Sequence, residues 1–208
     1  MPRSLRFRLR HALLLSVLAL LGAGAAGPAL GAQTPDAWPQ VGGDPSHAAT
    51  ASTPGPPYRR AWTTQIAGGG AAAGPVVAGE TIVVVGWDRV VALRLSDGGQ
   101  TWSVEREPGP AGPPAVVEEQ VIHAEGLGRL GAVVALSLED GSEVWRHDVG
   151  TAIVGGITVV PDGAIVGGRD GSIRLLDPET GDERWARDLP GRIETTPTSD
   201  GRAIFVLT

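Results

Sequence analysis

Tryptophan returns along this chain at nearly constant distances. Trp62 and Trp102 are 40 residues apart, Trp102 and Trp145 are 43 apart, and Trp145 and Trp185 are again 40 apart. A period of 40 to 45 residues belongs to repeat architectures, in which one supersecondary unit packs against the next. The surroundings recur in register. Gly98, Gly141 and Gly181 each stand four residues before a tryptophan, and Ala92, Ala135 and Leu175 stand six residues before those glycines. Each apolar position opens a β-rich stretch that runs into the glycine turn and returns as the strand carrying the tryptophan, which reads as a hairpin.

Two shorter β-rich runs precede each hairpin. They cover residues 74–78 and 81–86 in the first unit, 114–117 and 120–124 in the second, and 156–160 and 164–168 in the third. Gly79-Glu80, Glu118-Glu119 and Asp162-Gly163 read as the turns between them. Four short strands per unit, joined by tight turns, make the blade of a β-propeller. The 31 glycines and 17 prolines agree with turn-rich β structure and disfavour a helical bundle. The expected fold is therefore all-β: a β-propeller of four-stranded antiparallel blades, with three full blades and a partial fourth, an incomplete ring. The fourth unit is expected to begin at residues 192–197 and to stop within its second strand at residues 203–208. Residues 58–66, around Trp62, read as the last strand of a blade whose first three strands do not precede it. Rings close with about four to eight blades, so the sequence is expected to be a truncated one, about half a propeller.

The third unit, Asp170-Gly171-Ser172-Ile173-Arg174-Leu175-Leu176-Asp177-Pro178-Glu179-Thr180-Gly181-Asp182-Glu183-Arg184-Trp185, resembles the repeat of PQQ-like β-propellers, Ala-x-Asp-x-x-Thr-Gly-x-x-x-Trp. Asp177, Thr180, Gly181 and Trp185 match, and Leu175 stands where alanine is usual. The other units keep Ala92, Gly98 and Trp102, and Ala135, Gly141 and Trp145. They carry Arg94 and Ser137 in place of the aspartate, and Asp97 and Asp140 in place of the threonine. The stretch Trp38-Pro39-Gln40-Val41-Gly42-Gly43-Asp44-Pro45-Ser46-His47 also resembles the start of mature proteins of this family. The resemblance covers residues 38–208. It implies that each tryptophan docks on a neighbouring blade, so Gly98, Trp102, Gly141, Trp145, Asp177, Thr180, Gly181 and Trp185 are expected to be structural repeat residues.

Residues 1–32 are expected to be a signal peptide with a signal helix. Arg3, Arg6, Arg8 and Arg10 precede an apolar run from Ala12 to Leu21, and small residues follow. Residues 33–57 are expected to be an extended segment leading to the blades at 58–208. Beyond the leader, thirteen arginines face 23 acidic residues, a net −10, which disfavours a nucleic-acid partner. Export to a periplasmic or extracellular location follows from the leader, with membrane attachment only if the leader is uncleaved.

Cysteine is absent, which removes disulfides, thiolate metal sites and cysteine nucleophiles. Gly126-Leu127-Gly128-Arg129-Leu130-Gly131 spells G-x-G-x-x-G, but it falls in the blade register as a turn enlarged by three residues, followed by a strand rather than a helix. Asp177, Glu179, Asp182 and Glu183 read as a solvated hairpin rather than a calcium loop. His47, His123 and His147 have no metal-ligand spacing. Trp87 breaks the repeat register in the turn Gly86-Trp87-Asp88-Arg89; edge packing is expected of it ahead of a ligand-facing role. No catalytic constellation is present, and no catalytic, cofactor-binding or metal residue is assigned. PQQ and calcium are implied only for a complete homologous propeller. The reading is an exported binding or assembly scaffold with a protein or peptide partner. The alternative is the N-terminal part of a PQQ-dependent quinoprotein dehydrogenase whose catalytic residues lie elsewhere.

Overall fold

The structure is a computed structural model that describes residues 18–21, 39–47, 60–67, 73–110 and 112–208. Three four-stranded antiparallel sheets follow one another, each in simple up-and-down order. The first consists of β2 (Val76–Ala78), β3 (Thr81–Val85), β4 (Arg89–Arg94) and β5 (Gln100–Glu105). The second consists of β6 (Ala115–Val117), β7 (Gln120–Glu125), β8 (Ala132–Ser137) and β9 (Glu143–Asp148). The third consists of β10 (Thr158–Val160), β11 (Gly163–Gly167), β12 (Ser172–Leu176) and β13 (Glu183–Asp188). These are propeller blades.

The first strands β2, β6 and β10 lie beside one another, together with β14 (Thr198–Ser199) of a fourth sheet. They are the inner strands. The outer strands β5, β9 and β13 carry most of the exposed positions. The middle strands do not alternate between buried and exposed as a half-solvated strand would. Residues 132–136 of β8 are all buried, as are all of β11. A blade has a neighbour on each side, so its middle strands need apolar residues on both faces. Three buried clusters record this sandwiching. Val83, Val85, Val90 and Trp102 pack with Val121, Val134 and Leu136. Ile122, Val133 and Trp145 pack with Ile157, Ala164 and Val166. Ile165, Ile173 and Leu175 pack with Ile193 and Val206.

Several expected boundaries shift. The turn between β10 and β11 is Pro161-Asp162, because Gly163 already pairs with Val160. The fourth unit's first strand is residues 198–199, not 192–197. Residues 189–197 are instead the link between blades, and Pro197, which has no N–H to give a ladder, ends it. The second strand of this unit, β15 (Ala203–Val206), forms as expected and pairs with β14. Its other edge is paired with β1 (Leu18–Leu21), Leu18 opposite Val206. A signal helix was expected over this stretch; these four residues are extended, satisfying the backbone edge where a blade's third strand runs. The rest of the leader lies outside the described residues. Among the described residues no helix is long and apolar enough to cross a membrane.

Candidate functional site

The repeat residues meet across blade boundaries. The indole N–H of Trp62 donates to Leu95 O at 3.0 Å, that of Trp102 to Leu138 O at 2.9 Å, and that of Trp145 to Pro178 O at 2.9 Å. Each acceptor lies in or beside the hairpin turn of the next blade. The glycine of that turn receives the ring. A Cβ on Gly98 would lie 2.4 Å from Trp62, one on Gly141 2.8 Å from Trp102, and one on Gly181 2.5 Å from Trp145. The same glycines have φ of 70°, 77° and 77°. Two independent demands, a left-handed backbone and space for an aromatic face, coincide at one position. Trp62 docks like the others although residues 60–67 form no strand. Trp185 is partly buried, with the Arg187 guanidinium 6.0 Å from its ring centre.

A bulge aims each tryptophan. Ala92 pairs with Trp102 and Leu93 with Gln100; Ala135 pairs with Trp145 and Leu136 with Glu143; Leu175 pairs with Trp185 and Leu176 with Glu183. Thr101, Val144 and Arg184 are the extra residues in each outer strand. An inserted residue bends the strand and increases its twist, which turns the following indole toward the next blade. The bulge has no sequence signature of its own; only the constant glycine-to-tryptophan distance hints at it.

The loops on one face hold a second constellation, which the sequence reading did not find. The β3–β4 turn and the β5–β6 link are joined by Arg106 N–H to Asp88 O at 3.0 Å and Gly109 N–H to Trp87 O at 3.1 Å. The link is joined to the β7–β8 turn by Gly126 N–H to Glu107 O at 3.2 Å, and a Cβ on Gly109 would lie 2.5 Å from Gly126 O. Arg106 clamps the β3–β4 turn, the link and the end of β7 together. Its guanidinium is buried and donates to Gly86 O (2.7 Å), Trp87 O (2.9 Å), Gly109 O (3.2 Å), Pro110 O (3.4 Å) and Ala124 O (2.7 Å). Burial holds its pKa below the ordinary arginine value, with Glu125 and Asp88 opposing that shift. Within Glu105-Arg106-Glu107 an arginine reads as surface charge, so nothing in the sequence marked it.

Beneath the clamp, Glu125 is buried and accepts from Arg146 Nη1 at 2.6 Å. Hydrogen bonding to Glu143, and then to Glu125, raises Arg146 further into the charged state. His123, one residue pair away on the same strand face, is buried, with Nδ1 3.3 Å from Ala124 O. Its pKa is lowered to about 3, first by burial and then by the charge of Arg106.

The two turns that the clamp joins expose three large apolar side chains. Trp87 is 41% exposed, Leu127 49% and Leu130 66%. Gly128–Leu130 is a single 3-10 turn between β7 and β8, so G-x-G-x-x-G is here a blade turn. The two departures from repeat register, Trp87 and the three extra residues of the β7–β8 turn, thus sit on neighbouring turns. Trp87, of which edge packing was expected ahead of a ligand-facing role, is half-exposed on the first of these turns. Among the described residues no group of three or more His, Asp or Glu side chains is placed to hold a metal ion.

The family model described as outer membrane protein assembly factor BamB matches residues 129–208. BamB of Alteromonas naphthalenivorans is 29% identical over an alignment covering 38% of this chain and 23% of that protein. The crystal structure of BamB from Moraxella catarrhalis superposes with a TM-score of 0.58 at 24% identity, over 71% of this chain and 46% of that one. The chain carries PQQ-like β-propeller repeats. Quinohemoprotein alcohol dehydrogenase ADHIIG from Pseudomonas putida HK5 superposes with a TM-score of 0.62 at 20% identity, over 81% of this chain and 29% of that one, which is a likeness of fold. The chain thus spans less than half the length of each of these relatives.

The departures from the PQQ-like repeat keep its bonds. In the third blade Thr180 Oγ1 accepts from Asp182 N–H at 3.2 Å. In the first two the aspartate takes that place: Asp97 Oδ1 accepts from Gly99 N–H at 2.8 Å and Asp140 Oδ1 from Ser142 N–H at 3.0 Å. These backbone bonds hold both carboxyls below the usual carboxylate range. Asp177 caps its own turn from Glu179 N–H (2.9 Å) and Thr180 N–H (3.2 Å) and pairs with Arg184 at 2.7 Å; that pair, first, lowers its pKa. Blade one does without that cap, and blade two keeps one of its two bonds. Where Asp177 stands, blade one has Arg94, which pairs with Asp97 at 2.6 Å, and blade two has Ser137, bonded to Asp140 N–H at 3.4 Å.

A pair of glycine substitutions isolates the docking contact. Gly181→Ala must bear a left-handed alanine, about 1–2 kcal/mol, and also displace Trp145. Gly79→Ala bears only the first, since its φ is 54° and nothing lies within 4 Å of its Cβ. Urea denaturation is expected to show Gly181→Ala as the more destabilised, by at least ~1 kcal/mol. Equal losses would mean that the ring yields freely.

Proposed function

We propose that this chain is an exported scaffold in outer-membrane protein assembly, and that it docks a protein partner through the surface made by Trp87, Leu127 and Leu130. The observation that carries the reading is the convergence of the two register-breaking segments on neighbouring turns. Both place large apolar side chains in water over a rigid, arginine-clamped base. Contiguous exposed apolar surface marks interaction sites, and aromatic and arginine side chains dominate binding energy at such surfaces; Trp87 and the exposed Arg129 supply both. The name of the matched family and of the Alteromonas relative supports assembly as the setting. The net charge of −10 beyond residue 32 favours a protein partner over nucleic acid.

A photoreactive amino acid at position 130 is expected to crosslink, in the source cell, to a component of the outer-membrane protein assembly machinery. The same group at Val144, 48% exposed on the outer strand β9, is the control and is expected to give no such product. Equal yields from both positions would remove the assignment of this face.

A further inference from the structure

Residues 39–47 do not simply lead into the first blade. They cross the inner edges of three blades in succession. Val116 N–H of β6 donates to Pro39 O at 2.6 Å. Val159 of β10 is held on both backbone groups by one side chain: its N–H donates to Gln40 Oε1 at 3.0 Å, and its C=O accepts from Gln40 Nε2 at 3.3 Å. Ser199 N–H of β14 donates to Pro45 O at 2.8 Å, and Thr198 Oγ1 donates to the same oxygen at 2.9 Å. The groups engaged are those on the side away from each blade's second strand, the edge an inner strand leaves unpaired. Gln40 is buried, and its amide reproduces the paired donor and acceptor of a neighbouring strand residue.

The segment has its own fold. Gly43 N–H donates to Gln40 O at 2.9 Å and His47 N–H to Asp44 O at 3.0 Å. Gly42 and Gly43 have φ of 70° and 81°. A Cβ on Gly42 would lie 2.3 Å from His47 Cα. Two consecutive turns let a nine-residue segment meet three strands that do not lie in one sheet.

We propose that the inner edges of β6, β10 and β14 form a binding site for a short peptide, occupied in cis by residues 39–47. The recognition is by main-chain bonding, as when a peptide adds to a sheet edge, with a single glutamine amide supplying register. The site extends over three blades, so its occupant also ties them together. An external peptide of like chemistry can enter only when the cis segment leaves.

The test uses the whole chain carrying Gln40→Ala with Gly42→Val, which removes the amide and forbids the turn without altering a blade. Hydrogen exchange at Val116, Val159 and Ser199 is expected to be ~10-fold or more faster in the variant, while Val133 and Val134 of β8 stay protected. A fluorescent peptide of residues 38–48 is expected to bind the variant, to restore slow exchange at those three amides, and to bind the native chain at least tenfold more weakly. A scrambled peptide is expected to bind neither. The proposal is overturned if the peptide fails to bind a variant whose β8 remains protected, or binds the native chain equally well. Should β8 lose protection, Gln40→Ala alone is read by the same two criteria.

Discussion

Arg106→Met is expected to destabilise the fold by about 4 kcal/mol. The buried guanidinium is the donor for Gly86 O, Gly109 O and Ala124 O, all in buried bonds. Methionine fills part of the volume and supplies no N–H. A buried carbonyl left without a donor costs about 1–3 kcal/mol, reduced by whatever relaxation admits water. Arg106→Lys keeps the charge, but an ammonium on a single stem cannot reach carbonyls from three segments as the planar fork does; it is expected to recover less than half of the loss. Urea denaturation of both variants checks this. A loss under ~0.5 kcal/mol for methionine would show that the three segments hold together without the clamp.

Stability is expected to fall as the pH drops from 6.5 toward 3, and His123 is expected to be a principal cause. Its pKa is lowered from 6.5 to about 3 in the fold, so between these values the unfolded chain takes up a proton that the folded chain refuses. A depressed histidine contributes stability above its unfolded pKa and loses it as the pH falls. At about 1.4 kcal/mol per pH unit, the full window amounts to ~5 kcal/mol. The groups facing His123 explain why it cannot charge: Arg106 from the β5–β6 link and Arg146 from β9 both repel a proton, and Glu125 is already engaged by Arg146. Asp97, Asp140 and Asp177 are lowered too, and their contributions are lost only in the acid range, below about pH 4. The interval from pH 6.5 to 5 therefore reports on His123 and His47. Burial also lowers His47. In His123→Leu the slope of unfolding free energy over that interval is expected to shrink to what His47 leaves. An unchanged slope would mean that His123 does not stay neutral in the fold.

What could be read from the residues was what repeats. The spacing of Trp62, Trp102, Trp145 and Trp185 located three blades, because the first three rings each dock on the turn glycine of the next blade, which stands four residues before that blade's own tryptophan. The hairpin turns were legible for the same reason. Long-range contacts made once were not legible. Gln40 meets Val159 across 119 residues, and no local pattern encodes that bond. Arg106 lies in a charged run that a solvent-facing loop would equally carry. The strand at residues 198–199 was misplaced because the β-rich run before Pro197 carries the same composition whether it forms a ladder or a link. Trp87 and the enlarged turn at 126–131 were each visible as departures from register, but only the fold places them side by side.

The central claim is that this shared face, and not the blade scaffold at large, carries the interaction. The most direct measurement is the affinity of the purified chain for the component crosslinked at position 130, compared among the native chain, Trp87→Ala, Leu130→Asp and Val144→Asp. Loss of a central apolar anchor commonly costs more than about 1–2 kcal/mol of binding. Trp87→Ala and Leu130→Asp are therefore expected to weaken binding about tenfold or more, with Val144→Asp unchanged. Equal affinity across all four proteins would contradict the account.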